Sequence, residues 1–145
     1  MYDSNFKIIG ILMVVFIGTV PAIALSDGAD NTVRYGVNQG LTIAAAAKHV
    51  VKDNIKKGET DLSRGWIAQY LKKLNPTVDS VKIDPSTGKI SISFSEQTKN
   101  IGITLTPSVA GKNIMVGNTS PDDVNWRCTV SDVGYNKYVP RDCRN

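Results

Sequence analysis

The spacing of apolar residues changes near Pro76, and this change constrains the fold more than any other feature of the chain. Upstream, apolar side chains across residues 30–57 recur about every fourth position, which predicts one long helix ending at Gly58. A second apolar stripe predicts a shorter helix at residues 63–74. Downstream, apolar and polar residues alternate, which is the period of a half-buried strand. Helices followed by antiparallel strands predict an α+β domain.

Four main strands are predicted in the alternating region. Residues 89–95 alternate cleanly, with apolar side chains on one face and Ser91, Ser93 and Ser95 on the face toward water. This segment and residues 81–83 flank a turn rich in Asp, Pro, Ser and Gly, so the two are expected to form a hairpin. The other predicted strands are 101–106, ended by Pro107, and 124–130, with 114–116 as a short edge piece.

The long helix is expected to cover the apolar face of this sheet. Gly36 and Gly40 weaken the helix relative to alanine, by roughly 1 kcal/mol each. Small residues four apart can also form a groove for a neighbouring helix, and the sequence leaves that interpretation open. His49, the single histidine, is expected on the flank of the helix with no special role.

Cys128 and Cys143 are the only two cysteines of the chain. A zinc site would need four nitrogen or sulfur ligands, and His49 is far from both cysteines in sequence. A catalytic cysteine–histidine pair would need a low-pKa thiolate, and the neighbouring residues give no reason for one. We therefore expect a disulfide, and with it an oxidising compartment. Cys128 shares the core-facing side of its predicted strand with Trp126.

The N-terminal segment supports export from the cytoplasm. Residues 8–25 are almost entirely apolar and end in Ala22-Ile23-Ala24, a small-x-small pattern typical of signal-peptidase sites. Two interpretations stay open: a cleaved secretory signal, or a retained hydrophobic helix that lies in the inner membrane or a filament core. Either way, residues 1–24 are expected to be separate from one globular domain at residues 25–145.

Composition and motifs argue against an enzyme. The formal net charge is +4, from 17 basic and 13 acidic residues, which mainly concerns solubility. The sequence contains no glycine-rich phosphate loop, no cluster of metal ligands and no plausible Ser/His/Asp arrangement. We therefore expect no catalytic residues, no metal and no cofactor.

Helix, strands and tail together resemble the major pilins of type IV pili. This resemblance implies a long N-terminal helix packed on a four-stranded antiparallel sheet, with a C-terminal loop closed by a disulfide. It also implies other pilin subunits and the pilus assembly machinery as partners, and allows a host or surface receptor. The similar segments are 22–24, 31–34 and 40–48 in the helix, 80–94 and 103–107 in the strands, and 126–128 with 138–144 in the tail.

The apolar segment departs from the pilin pattern. Pilins of this family carry a glutamate there, and Ile9 takes its place, while Ser4 and Asn5 stand where a glycine and a phenylalanine are usual. Two hypotheses follow. The chain is a pilus subunit acting in cell adhesion at the bacterial surface, or it is a secreted periplasmic protein that binds pilins or the pilus machinery without polymerising.

Basic and aromatic residues around the second cysteine form a candidate exposed contact loop. They could hold phosphates and stack bases, so a third hypothesis is nucleic-acid binding, as in pilins linked to DNA uptake. The competing interpretation is a solvated loop whose charge Asp132 and Asp142 partly balance. The candidate contact residues are Arg127, Tyr135, Lys137, Tyr138, Arg141 and Arg144.

Overall fold

The computed structural model describes residues 26–68, 75–114, 116–117 and 124–145. The predicted apolar segment and its Ala-Ile-Ala site lie outside these residues. Within the described ranges, no helix combines the length and the hydrophobicity that crossing a membrane requires.

The predicted long helix is confirmed and begins one turn earlier than expected. This helix, α1, spans Ser26–Lys57. It ends because Gly58 takes a left-handed conformation, with φ of 66°, and donates its N–H to the Ile55 carbonyl at 3.0 Å. Its buried stripe follows the helical period and consists of Val33, Val37, Ala44, Ala47, Val51 and Ile55.

The predicted second helix is wrong over its described part, residues 63–68, which form turns and irregular backbone. Asn54 explains this result, because its buried amide donates to the carbonyls of Leu62 and Arg64 at 3.1 and 2.8 Å. A helix would use those carbonyls within its own ladder. Gly65 adopts a φ of 83°, which also interrupts a helix. Residues 69–74 of the prediction lie outside the described residues.

Within the described residues, the sheet is antiparallel throughout and contains the four predicted main strands plus a two-residue strand. The third strand is central: the fifth strand pairs along one edge of it, and the second and fourth share its other edge. The first strand pairs with the second. The strands are β1 Val78–Ile83, β2 Ile90–Phe94, β3 Gly102–Val109, β4 Lys112–Asn113 and β5 Val124–Val130.

Strand β3 continues through Pro107, where the sequence predicted its end. Pro107 lies opposite Trp126 of β5. On the other edge of β3, β2 pairs only as far as Leu105 and the pairing with β4 starts at Ser108, so the proline falls in the gap between them. A proline has no N–H to donate and is tolerated where the ladder is interrupted. The predicted edge piece at 114–116 is displaced to β4, and Met115 lies outside the described residues.

The small residues of α1 accommodate the sheet. A methyl group at Gly40 would collide with the Phe94 ring, and one at Gly36 would lie 2.9 Å from Thr98 Oγ1. The interpretation of these glycines as a groove for a neighbouring helix is therefore wrong, since β2 and the turn after it occupy that groove. The sheet side of the core is Val78, Val81, Ile83, Ile90, Ile92, Phe94, Ile101, Ile103, Leu105 and Val130.

Only two of the three serines expected to face water do so. Ser91 and Ser93 are exposed, whereas the Ser95 hydroxyl is buried and has no hydrogen-bond partner. Ser95 follows the end of β2 and precedes a 3-10 turn at Glu96–Thr98, so the strand alternation no longer sets its direction. Its N–H donates to the Thr77 carbonyl at 3.0 Å, which ties this turn to the start of β1.

Candidate functional site

The predicted disulfide is present between Cys128 and Cys143, which are 15 positions apart with Cα atoms 4.4 Å apart. It closes what we call the disulfide loop, residues 128–143, against β5. Two 3-10 helices, Val133–Tyr138 and Arg141–Cys143, occupy most of the loop. Loop closure of this length contributes about 3 kcal/mol to stability in the chain-entropy model. The loop is therefore a fixed part of the domain.

A second attachment joins the disulfide loop to α1. The Asp30 carboxylate accepts from the Tyr138 hydroxyl and from the Lys137 ammonium, both at 2.9 Å. The hydrogen bonds from Lys137 and Tyr138 lower the pKa of Asp30 below its usual value. The hydrogen bond to Asp30 raises the pKa of Lys137 in turn. Both groups therefore stay ionised at neutral pH and hold the loop against the helix.

Tyr138 is buried, which corrects its place among the exposed contact residues. Its relative accessibility is 6 %. The ammonium groups of Lys137 and Lys99 lie 4.7 and 5.6 Å from the centroid of its ring, within cation–π range. Tyr135 is half-buried and packs against the core. The aromatic part of the predicted set thus serves the attachment of the loop, and the Tyr138 ring offers no open face for stacking.

The structure reveals a groove that the sequence did not predict, between α1 and the disulfide loop. We call it the basic groove, and its volume is about 270 Å³. Arg34 Nε donates to the Lys137 carbonyl at 3.0 Å, and Arg144 Nε donates to the Val139 carbonyl at 3.3 Å. The residues that line it are Arg34, Asn38, Lys137, Tyr138, Val139, Pro140 and Arg144.

Arg34 and Asn38 were missed because they precede the loop by about a hundred residues in sequence. The available signal was their spacing of four on α1, which places both side chains on one exposed face of the helix. Nothing in the sequence indicated that the C-terminal loop would return to that face.

The remaining predicted arginines do not line the groove. Arg141 is exposed on the outer surface of the loop. Arg127 lies on the face of β5 opposite to that of its neighbour Cys128 and pairs with Thr106 of β3. It lines a separate polar cleft of about 370 Å³. That cleft is lined by Thr106, Ser108, Gly111, Asn113, Arg127 and Thr129. The structure therefore divides the predicted basic cluster between two faces of the domain.

A comparison with known protein families identifies the family to which this domain belongs. The model of the pilin family, described as bacterial filament proteins, matches residues 33–144. The chain belongs to the pilin family. The matched region of this pilin contains most of α1, the whole sheet and both cysteines. No solved structure matches the chain.

The family assignment is consistent with a structural, surface-located protein and indicates assembly with other pilins. Pilins form a family of filament subunits and not of enzymes. Among the described residues, no three His, Cys, Asp or Glu side chains are grouped in a way that could hold a metal ion.

Proposed function

We propose that this pilin is a structural subunit of a type IV pilus and that its disulfide loop provides an exposed surface for cell adhesion. The supporting observation is that the loop is attached to two elements, to β5 by the disulfide and to α1 through Asp30 and Arg34. A loop that is already fixed loses little conformational entropy when it binds a surface. Its outer side carries Val133, 65 % exposed, and the exposed Arg141.

The N-terminal segment has a corresponding role in this proposal. Residues 8–25 are retained, anchor the subunit in the inner membrane before assembly, and lie in the filament core afterwards. Residues 25–145 then form the globular head. The alternative is a periplasmic pilin-like protein, cleaved after Ala24, that keeps the head and binds pilins or the pilus machinery without polymerising.

The mature N-terminus distinguishes these two alternatives. Mass spectrometry of the native protein is combined with sedimentation of sheared pili. We expect a methylated N-terminus near Asn5 or Phe6 and recovery with the filaments. Cleavage after Ala24 with no filament association would contradict the subunit proposal and favour the periplasmic one.

The adhesive surface is tested with exposed loop residues. In assembled filaments, Val133→Ser and Arg141→Gln are expected to reduce the number of cells retained on an epithelial monolayer while filament yield is unchanged. Ile67→Ser is the matched control, because Ile67 is equally exposed, at 62 %, and lies outside the loop. Equal retention of all three variants and the wild type would contradict a contact role for the loop.

Nucleic-acid binding is the remaining candidate. The cations of the basic groove favour it, since they suit phosphate groups. The lysines over the Tyr138 ring weigh against it, because base stacking needs an open aromatic face. Binding of a single-stranded oligonucleotide tests this candidate directly.

A further inference from the structure

We infer that the basic groove binds the acidic groups of a surface polysaccharide, a carboxylate or a phosphate carried on a sugar. The inference rests on the proposed adhesive function and names its ligand class. It places the specific contact in the groove between α1 and the disulfide loop, beside the outer loop surface of Val133 and Arg141.

Two arginines are oriented in advance for an anion. Arg34 and Arg144 each use Nε to donate to a backbone carbonyl of the loop, at 3.0 and 3.3 Å. These bonds fix the two guanidinium planes and leave the terminal nitrogens as donors. An arginine held in this way loses less side-chain entropy when it forms the paired hydrogen bonds that carboxylates and phosphates accept. The Asn38 side chain lines the same groove and can bond a sugar hydroxyl.

The groove carries positive charge that its surroundings do not neutralise. Asp30 is engaged by Lys137 and Tyr138, so it balances the lysine. Among the residues described, no carboxylate lies within ion-pair distance of Arg34 or Arg144. Two arginine charges therefore remain for a ligand. Both arginines are exposed, so they attract an anionic ligand through charges that remain in water, an attraction that salt weakens.

The dimensions and the aromatic content favour a saccharide over a nucleic acid. A volume of about 270 Å³ is just below the usual range of small-molecule pockets, so it suits one substituted sugar ring. Tyr138 lines the groove with an aromatic ring. The ammonium groups of Lys137 and Lys99 lie 4.7 and 5.6 Å from the centroid of that ring. A base would find no stacking surface there, whereas an acidic sugar needs none.

The test measures binding by the full chain, purified in a non-ionic detergent. The probes are polygalacturonate for carboxylates, a teichoic acid for phosphates, dextran as a neutral polymer and a single-stranded oligonucleotide. We expect binding to one or both acidic glycopolymers, weakened by salt, and none to dextran. Which of the two binds identifies the source of the acidic group.

Substitutions locate the binding. Arg34→Gln and Arg144→Gln are each expected to raise Kd about tenfold or more, since a charge-assisted contact is lost. Arg127→Gln removes the same charge from the separate polar cleft, outside the groove, and is expected to have a much smaller effect. Arg64→Gln, distant along the chain and paired with Glu59, is the control for net charge. Thermal unfolding of each variant verifies that the domain is intact.

Three results would overturn the inference: no binding to either acidic polymer, equal weakening by all four substitutions, or tighter binding to the oligonucleotide than to both polymers. Filament sedimentation and cell retention on the epithelial monolayer, measured with the same variants, separate this inference from the proposed function. If filaments assemble and adhere normally in Arg34→Gln and Arg144→Gln, the groove assignment fails while the proposed function stands.

Discussion

The Tyr138 hydroxyl donates to Asp30 Oδ1 at 2.9 Å, across 108 positions of sequence. This bond joins the first turns of α1 to the disulfide loop at the other end of the chain. Lys137 binds the second oxygen of the same carboxylate. The basic groove exists because these contacts hold the loop beside the helix.

Tyr138→Phe removes the hydroxyl from this contact and preserves the buried ring. We expect a loss of about 1 kcal/mol in the free energy of unfolding, the usual net value of one hydrogen bond. Urea denaturation measures it. Tyr35→Phe is the control, because Tyr35 is 64 % exposed, and it should be neutral. Equal effects of the two changes would show that the Asp30 bond contributes nothing to stability.

Removal of the disulfide in a Cys128→Ser/Cys143→Ser double variant is expected to lower the free energy of unfolding by about 3 kcal/mol. The physical reason is the greater conformational freedom of the unfolded chain without the closed loop. Urea denaturation of the variant and of the oxidised wild type gives the difference. A reduced wild type should match the variant; a reduced protein as stable as the oxidised one would contradict the prediction.

Two glycines of α1 should respond in opposite directions to alanine. Gly40→Ala is expected to destabilise by roughly 1–3 kcal/mol, because the new methyl group collides with the Phe94 ring. Gly28→Ala is expected to stabilise by up to about 1 kcal/mol, since nothing lies within 4 Å and alanine favours the helix. Thermal unfolding of both variants tests this contrast. Similar shifts for both would mean that the helix does not pack on β2 at Gly40.

Acid should weaken the turn between β1 and β2. Hydrogen bonds from Thr87 and Ser86 lower the pKa of Asp84 from 3.8 to about 2. A carboxylate with a depressed folded-state pKa stabilises fully above its unfolded pKa, and the contribution fades as pH falls through the folded value. Wild type should therefore be more stable than Asp84→Asn above pH 3.8, with the difference disappearing toward pH 2. Because Asp84 is exposed, the difference should be small.

The difference in stability is measured from the unfolding midpoints of wild type and Asp84→Asn between pH 2 and pH 6. The outcome that contradicts it is a constant difference across the whole range. Asp30 also has a lowered pKa, because it accepts hydrogen bonds from Lys137 and Tyr138. Its contribution to stability is therefore lost in both proteins as the pH falls.

The periodicity of the sequence was sufficient for α1 and for the hairpin of β1 and β2, because these elements are specified locally by which side chains are buried. The turn at Asp84 and the stop at Gly58 are equally local. The two cysteines, the sole pair in the chain, determined the disulfide. These features required no knowledge of the tertiary arrangement.

Tertiary contacts decided the backbone conformation in two segments whose local sequence pattern predicted something else. Residues 63–68 have an apolar stripe suited to a helix, but Asn54 takes two of their carbonyls and Trp66 donates its indole N–H to Val81. Pro107 remains within β3 because it falls in the gap between β2 and β4. In both cases the deciding contact lies outside the segment itself, so the local apolar pattern carries no signal of it.

The amino-acid sequence by itself determined the α+β class, the family resemblance and the closed C-terminal loop. The tertiary structure alone decided which side chains share a surface: it buried Tyr138, placed Arg127 in a separate cleft and placed Arg34 and Arg144 in one groove. The physical reason is that burial periodicity is encoded along the chain. The meeting of α1 with the disulfide loop depends on contacts such as Asp30–Tyr138, which form only when the two ends of the domain fold together.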